Sequence, residues 1–167
     1  MSAPARHLTL LAALTAATVP LLMVMYHWLD FDAAAVAVLC CGLAMVAAPL
    51  LLRRGASLEL ASNLFIGALF ALKVWLACHL GGLAAPSTAL FVLCPLVAAL
   101  LGGARPALVW GALVFKAYAV LFLWSRFVAP LVAQPVRDAG VLALSGQLGL
   151  LVLVVVIALC FRDGASD

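Results

Sequence analysis

Two lysines interrupt long apolar runs, Lys73 in the stretch 58–80 and Lys116 in 107–127, and no Asp or Glu lies in the interior of any such run. An ammonium group at bilayer depth is costly, so lysines placed there usually face a bundle interior or a watery cavity. The chemistry on offer is capture of an anion or a polar head group at an outward-open site. The competing reading is structural: Lys73 snorkels to the outer interface, and Lys116 packs against backbone carbonyls or loses its proton on burial. Lys116 is the more informative of the two, because its depth makes snorkelling harder. Gln147 falls in the outer half of the last apolar run and is the third ligand candidate. Asn63, Ser145 and Gln147 also read as hydrogen-bonding glue between helices, at about 1 kcal/mol each.

His27 and His79 lie at the outer ends of two runs, with Cys78 beside the second. Imidazoles gathered at one face can hold a metal or haem, yet this spacing supplies no recognised ligand motif. Hydrated interfacial histidines are the simpler reading, with His79 kept as a candidate contact for a ligand. The cysteines Cys40, Cys41, Cys78, Cys94 and Cys160 are odd in number and scattered, which argues against a disulfide framework and for small apolar fillers. No metal centre, cofactor or catalytic constellation is expected.

These residues must be positioned by helices in lipid. A 167-residue chain that is 69% hydrophobic and 9% charged cannot hide its apolar surface in one water-facing core. The mean hydropathy of +1.32 agrees. A span needs roughly 20 mostly apolar residues, and six fit: 8–28, 33–52, 58–80, 87–101, 107–127 and 139–161. The expected fold is therefore all-α, a single polytopic bundle of six transmembrane helices. Arg6 ahead of the first run resembles a signal peptide, but the run exceeds the ~7–15 residue core of a cleaved signal, so it reads as retained.

The centre of the chain is a helical hairpin. Gly81-Gly82 ends one helix, Pro86 opens the next, and Gly102-Gly103-Ala104-Arg105-Pro106 closes it. The fourth span is short, and Pro20, Pro49 and Pro95 fall within or near the ends of spans, where each removes a donor and can kink the helix. The Ala-rich faces 33–37 and 42–48 suit close helix contact or a homodimer, with lipid-facing alanine as the default.

Arg6, Arg53, Arg54, Arg105 and Arg162 fall on one side, and Arg126 and Arg137 on the other. The positive-inside rule then places both termini in the cytoplasm and turns the hairpin, Asp30/Asp32 and the 130–138 loop outward. The net charge of +3 is too small and dispersed to point to nucleic acid.

The run Leu51-Leu52-Arg53-Arg54-Gly55, the helix ending in Gly81-Gly82 and Pro86, Pro95, Gly103-Ala104-Arg105 and Trp110 carry a resemblance. Over the central third to half of the chain they resemble the multi-spanning membrane input domain of bacterial sensor histidine kinases. Related six-helix anchors precede class III adenylate cyclase domains. The sequence departs from such kinases in having Ala85 before the proline, where serine is frequent, and in stopping without a phosphoacceptor region, ATP-binding glycine boxes or a cyclase domain. The resemblance implies an isolated or truncated sensory input module of the bacterial inner membrane. Its partners would be membrane lipid, a small-molecule ligand and a cytoplasmic signalling domain or kinase, and it would not be an enzyme. The alternatives are the substrate-binding membrane subunit of a small-molecule transporter and a purely structural anchor. Convergence of Lys73, Lys116 and Gln147 on one enclosed pocket would favour the transporter.

Overall fold

The computed structural model describes residues 3–128 and 135–164, without side chains at 86, 145, 152–153 and 156–164. Every regular element among them is helical: α1 (Ala3–Trp28), α2 (Asp32–Arg53), α3 (Leu58–His79), two 3₁₀ stretches (Gly82–Ala84 and Pro86–Val92), α4 (Leu93–Gly102), α5 (Ala104–Phe127) and α6 (Ala139–Gly164). Four of them, α1, α2, α3 and α5, with 26, 22, 22 and 24 residues, are long and apolar enough to cross a membrane. The chain is thus an all-helical membrane protein.

The short connections make successive helices antiparallel. One end of the bundle therefore gathers the last residues of α1 and α3, the first of α2, the glycine hairpin and the start of α6. We call it the hairpin end. Arg53, Arg54 and Arg105 stand at the opposite, arginine end.

Local chemistry fixes the helix ends. At the close of α2, Gly55 takes a φ of 93°. Its N–H donates to Leu52 O at 3.1 Å, and Ala56 N–H donates to Leu51 O at 3.1 Å. This is the Schellman pair that satisfies two otherwise unbonded carbonyls. Ser57 caps α3, its Oγ accepting from Leu60 N–H at 3.2 Å. Asp138 caps α6, Oδ1 accepting from the N–H groups of Gly140 at 2.8 Å and Val141 at 3.1 Å. Gly81 and Gly82 adopt φ of 99° and 65° after α3, a conformation a side chain would resist. Pro130, in the expected outer loop, lies outside the described residues.

The expected fourth span is not one α-helix. The seven residues Pro86–Val92 form a 3₁₀ helix, and ten more form α4. A 3₁₀ helix aligns residues three apart, and burial follows that period. Ala89 and Val92 are exposed, while Ser87, Leu90 and Leu93 form one buried column and Thr88, Phe91 and Cys94 a second. Side-chain hydrogen bonds support this form. Thr88 Oγ1 donates to Gly82 O at 2.9 Å, and Tyr118 Oη donates to Thr88 O at 2.7 Å. With seven residues at about 2.0 Å and ten at about 1.5 Å, the contour reaches about 29 Å, near the ~30 Å hydrocarbon thickness. Pro95 falls in the first turn of α4, where a missing N–H is tolerated, so it is not a mid-helix kink. Pro20 and Pro49 do lie inside continuous helices.

One stripe of small residues on α2 faces inward. Ala34, Ala48 and Gly42 are buried in a stripe with Val38 and Met45, and a Cβ at Gly42 would collide with the Val19 side chain of α1. The default of lipid-facing alanine is corrected for this stripe: without Cβ branches, α1 and α2 approach closely enough for backbone and Val19 to fill the seam. α5 differs. Only Val114 and Leu121 along it are buried.

Candidate functional site

An elongated cavity of about 350 Å³ runs between α1, α2 and α3 on one side and the Pro86–Val92 stretch, α4 and α6 on the other. Its walls are mostly leucine and valine. Four kinds of polar group interrupt them: Thr15 and Thr18, Tyr26, Lys73, and Ser87. The threonines are spent on their own helix, Thr15 Oγ1 donating to Leu11 O at 2.9 Å and Thr18 Oγ1 to Thr15 O at 3.1 Å. The other three are not. Ser87 is buried and its Oγ has no hydrogen-bond partner among the described residues. Lys73, partly buried, has neither a carboxylate nor a hydrogen-bond acceptor there, the single ion pair among the described residues being His27 with Asp32. Tyr26 packs its ring on Phe31 at 6.2 Å, and its hydroxyl makes no hydrogen bond among the described residues.

Chain topology sets the level at which each of these three groups meets the cavity. Tyr26 is near the C-terminal end of α1, Lys73 lies about 9 Å before the C-terminal end of α3, and Ser87 opens the 3₁₀ stretch. Tyr26 and Ser87 sit toward the hairpin end of the cavity, and Lys73 lies midway along its α3 wall, between Phe65 and Leu80. Toward the arginine end the lining passes to Leu11, Met45, Phe65 and Val97. Along α1 the cavity extends from Tyr26 to Leu11, about 22 Å of helix. Leu21 of α1 and Leu148 of α6, 71% and 52% exposed, stand at its rim, so the cavity opens sideways between these helices.

An aromatic ladder roofs the hairpin end. Tyr26 meets Phe31, Phe31 stacks on Trp75 at 5.8 Å, and Trp75 stacks on His79 at 4.1 Å. The chain beyond α5 is pinned to the same end. Arg137 N–H donates to Leu29 O at 3.2 Å, and its guanidinium lies 5.3 Å from the Trp28 ring centre.

The candidate residues separate. Lys73 lines the elongated cavity. Gln147 is exposed and lines a separate, more open depression with Thr88 and Tyr118, and it makes no hydrogen bond to another helix among the described residues. Lys116 is exposed midway along α5 and touches neither pocket. Lys73, Lys116 and Gln147 therefore do not converge. His79 Nδ1 bonds Trp75 O at 2.8 Å, and His27 Nδ1 bonds Asp32 Oδ1 at 2.6 Å, so the two imidazoles serve separate local contacts. Gly81, Gly82 and Pro86 build the turn that delivers Ser87 to the cavity. Asn63 acts as glue, its Oδ1 accepting from Trp110 Nε1 at 3.2 Å between α3 and α5. The side chain of Ser145 lies outside the described residues. Among those described, no three His, Cys, Asp or Glu side chains are grouped to hold a metal ion.

Sequence reasoning missed both Ser87 and Tyr26 as site residues. The available signal was positional: Ser87 is the first polar residue after Pro86, at the mouth of an otherwise apolar run. His7 Nδ1 and Ser62 Oγ, also buried without partners among the described residues, escaped notice too. Against models of protein families, curated proteins and solved structures, the chain matches none.

Proposed function

We propose that the chain is a membrane-embedded sensory or regulatory input module. The observation that carries this reading is the cavity, whose opposite walls belong to α1–α3 and to the 3₁₀ stretch, α4 and α6. A molecule bound between two such groups of helices biases their relative position if it prefers one arrangement. In this reading the chain crosses a bacterial inner membrane six times with both termini in the cytoplasm, and α6 hands the bias to a cytoplasmic partner of the histidine-kinase or cyclase type. Lys116, a charge midway along an exposed helix face, is costly against lipid. It makes α5 the face for a second copy in a homodimer. The proposal contains no catalytic step. The transporter-subunit reading is weaker, because its three polar candidates are scattered and the cavity opens sideways.

Hydrogen–deuterium exchange on the full chain in lipid nanodiscs, before and after detergent stripping of co-purifying molecules, tests this reading. The input module predicts altered protection in Gly81–Val92 and in α6. Identical exchange in every segment would leave a rigid anchor.

A further inference from the structure

We propose that the elongated cavity lined by Lys73 is a binding site for an anionic amphiphile: an apolar tail ending in a singly charged acidic head group. The inference names the ligand class of the input module and rests on that reading only for its signalling consequence. Three features of the cavity carry it.

The first is polarity arranged along its length. Ser87 and Tyr26 line the hairpin end and Lys73 the middle, whereas the arginine end is walled by Leu11, Met45, Phe65 and Val97, its polar neighbours Thr15 and Thr18 being bonded to their own helix. A compact polar solute would leave most of that wall unmatched, and a pure hydrocarbon would leave the ammonium and hydroxyls unpaired. The second is the state of the polar groups. Ser87 Oγ is buried with no partner, and Lys73 has no carboxylate among the described residues. Buried donors without acceptors are costly, and an acidic head group accepts from an ammonium or a hydroxyl through charge-assisted bonds. The third is access. The rim at Leu21 and Leu148 faces the lipid side of α1 and α6, so a ligand already dissolved in the bilayer reaches the cavity without crossing water. At about 350 Å³ the cavity lies near the lower end of the ~300–1,000 Å³ typical of ligand sites.

The head group has two sources, a free long-chain carboxylate or an anionic membrane lipid. The full chain in phosphatidylcholine nanodiscs is titrated with oleate carrying a ¹³C carboxyl, with oleyl alcohol as the uncharged control, and bound ligand is counted by native mass spectrometry. Oleate should bind at least about tenfold more tightly than the alcohol, with a shifted carboxyl resonance. Lys73→Met should remove that preference while leaving the alcohol's affinity unchanged, and Lys73→Arg should restore most of it. Ser87→Ala should weaken oleate by about threefold to tenfold. Lys116→Met, off the cavity, should change nothing.

In discs doped with phosphatidylglycerol, retention of that lipid through Lys73 with exclusion of oleate assigns the head group to a lipid and upholds the site. Equal binding of oleate and alcohol, or oleate binding indifferent to Lys73→Met with no Lys73-dependent retention of phosphatidylglycerol, overturns it. The readings fail separately. Lys73-dependent binding with unchanged hydrogen exchange keeps the site and removes the input module, whereas exchange that responds to another molecule does the reverse.

Discussion

Lys73 and Lys116 are the same side chain, each set in a long apolar helix, yet they occupy opposite kinds of surface. Lys73 stands on the wall of a cavity lined by six helical segments. Lys116 stands on α5, where Phe115 is 74% exposed and only Val114 and Leu121 are buried. The difference teaches that a charge inside a hydrophobic run does not by itself mark a site. What surrounds the charge does: unpartnered hydroxyls and a shaped apolar space in one case, an open helix face in the other. The contrast extends to packing. The face of the 3₁₀ stretch that carries Phe91 is locked by Phe70 at 5.8 Å and Tyr118 at 5.4 Å, whereas the outer face of α5 awaits lipid or a partner.

Truncating the same residue type on both surfaces tests this most severely. Phe91→Ala should cost about 3 kcal/mol, the low end for a buried phenylalanine because in lipid only lost contacts count. Phe115→Ala should cost less than about 0.5 kcal/mol. Unfolding in nanodiscs by steric trapping reads both, and equal costs would erase the distinction. Next in size is Gly42→Val. It forces α1 from α2 and should destabilise by about 1–3 kcal/mol, while Gly149→Val, with open space around its Cβ position, should be tolerated in the same assay. Trp110→Phe removes the bond to Asn63 and should cost about 1 kcal/mol, a measure of how firmly α5 is tied to α3. The smallest effect concerns the lysines directly. In nanodiscs holding one copy each, a bilayer-soluble amine reagent should modify Lys116 faster than Lys73, and the gap should widen when the cavity is filled. Equal rates would place both on one kind of surface.

Much of the helical order was readable from hydropathy and punctuation. The runs that became α1, α2, α3 and α5 are long and apolar, and Gly55, Gly81, Gly82 and Gly103 sit where the chain needs positive φ. Helix faces were not readable, because alanine and leucine occupy both sides of each helix. The buried stripe Ala34, Gly42, Ala48 differs from its lipid-facing neighbours in size rather than hydrophobicity. The 3₁₀ stretch was hidden for a related reason. Ser87-Thr88-Ala89-Leu90-Phe91-Val92 is compatible with either helix type, and the choice depends on the Thr88 and Tyr118 hydrogen bonds made across the fold. Of the site, Lys73 was visible through its charge. Ser87 and Tyr26 joined it only once separate segments were packed around one cavity.

The length of that 3₁₀ stretch bears on more than span. Each residue turns about 120° in a 3₁₀ helix and about 100° in an α-helix, so seven residues differ by about 140° of winding and about 3.5 Å of rise. Runs beyond 3–4 residues are uncommon in this form. Our hypothesis is that Pro86–Val92 exchanges hydrogen-bond pattern with occupancy, and backbone chemical shifts that stay 3₁₀ in filled and emptied protein would reduce it to a rigid spacer. Under that exchange the wall bearing Ser87 and Leu90 is a screw thread: rewinding it turns α4, and α5 packed on it, against the glycine hairpin, converting a change inside the cavity into torque.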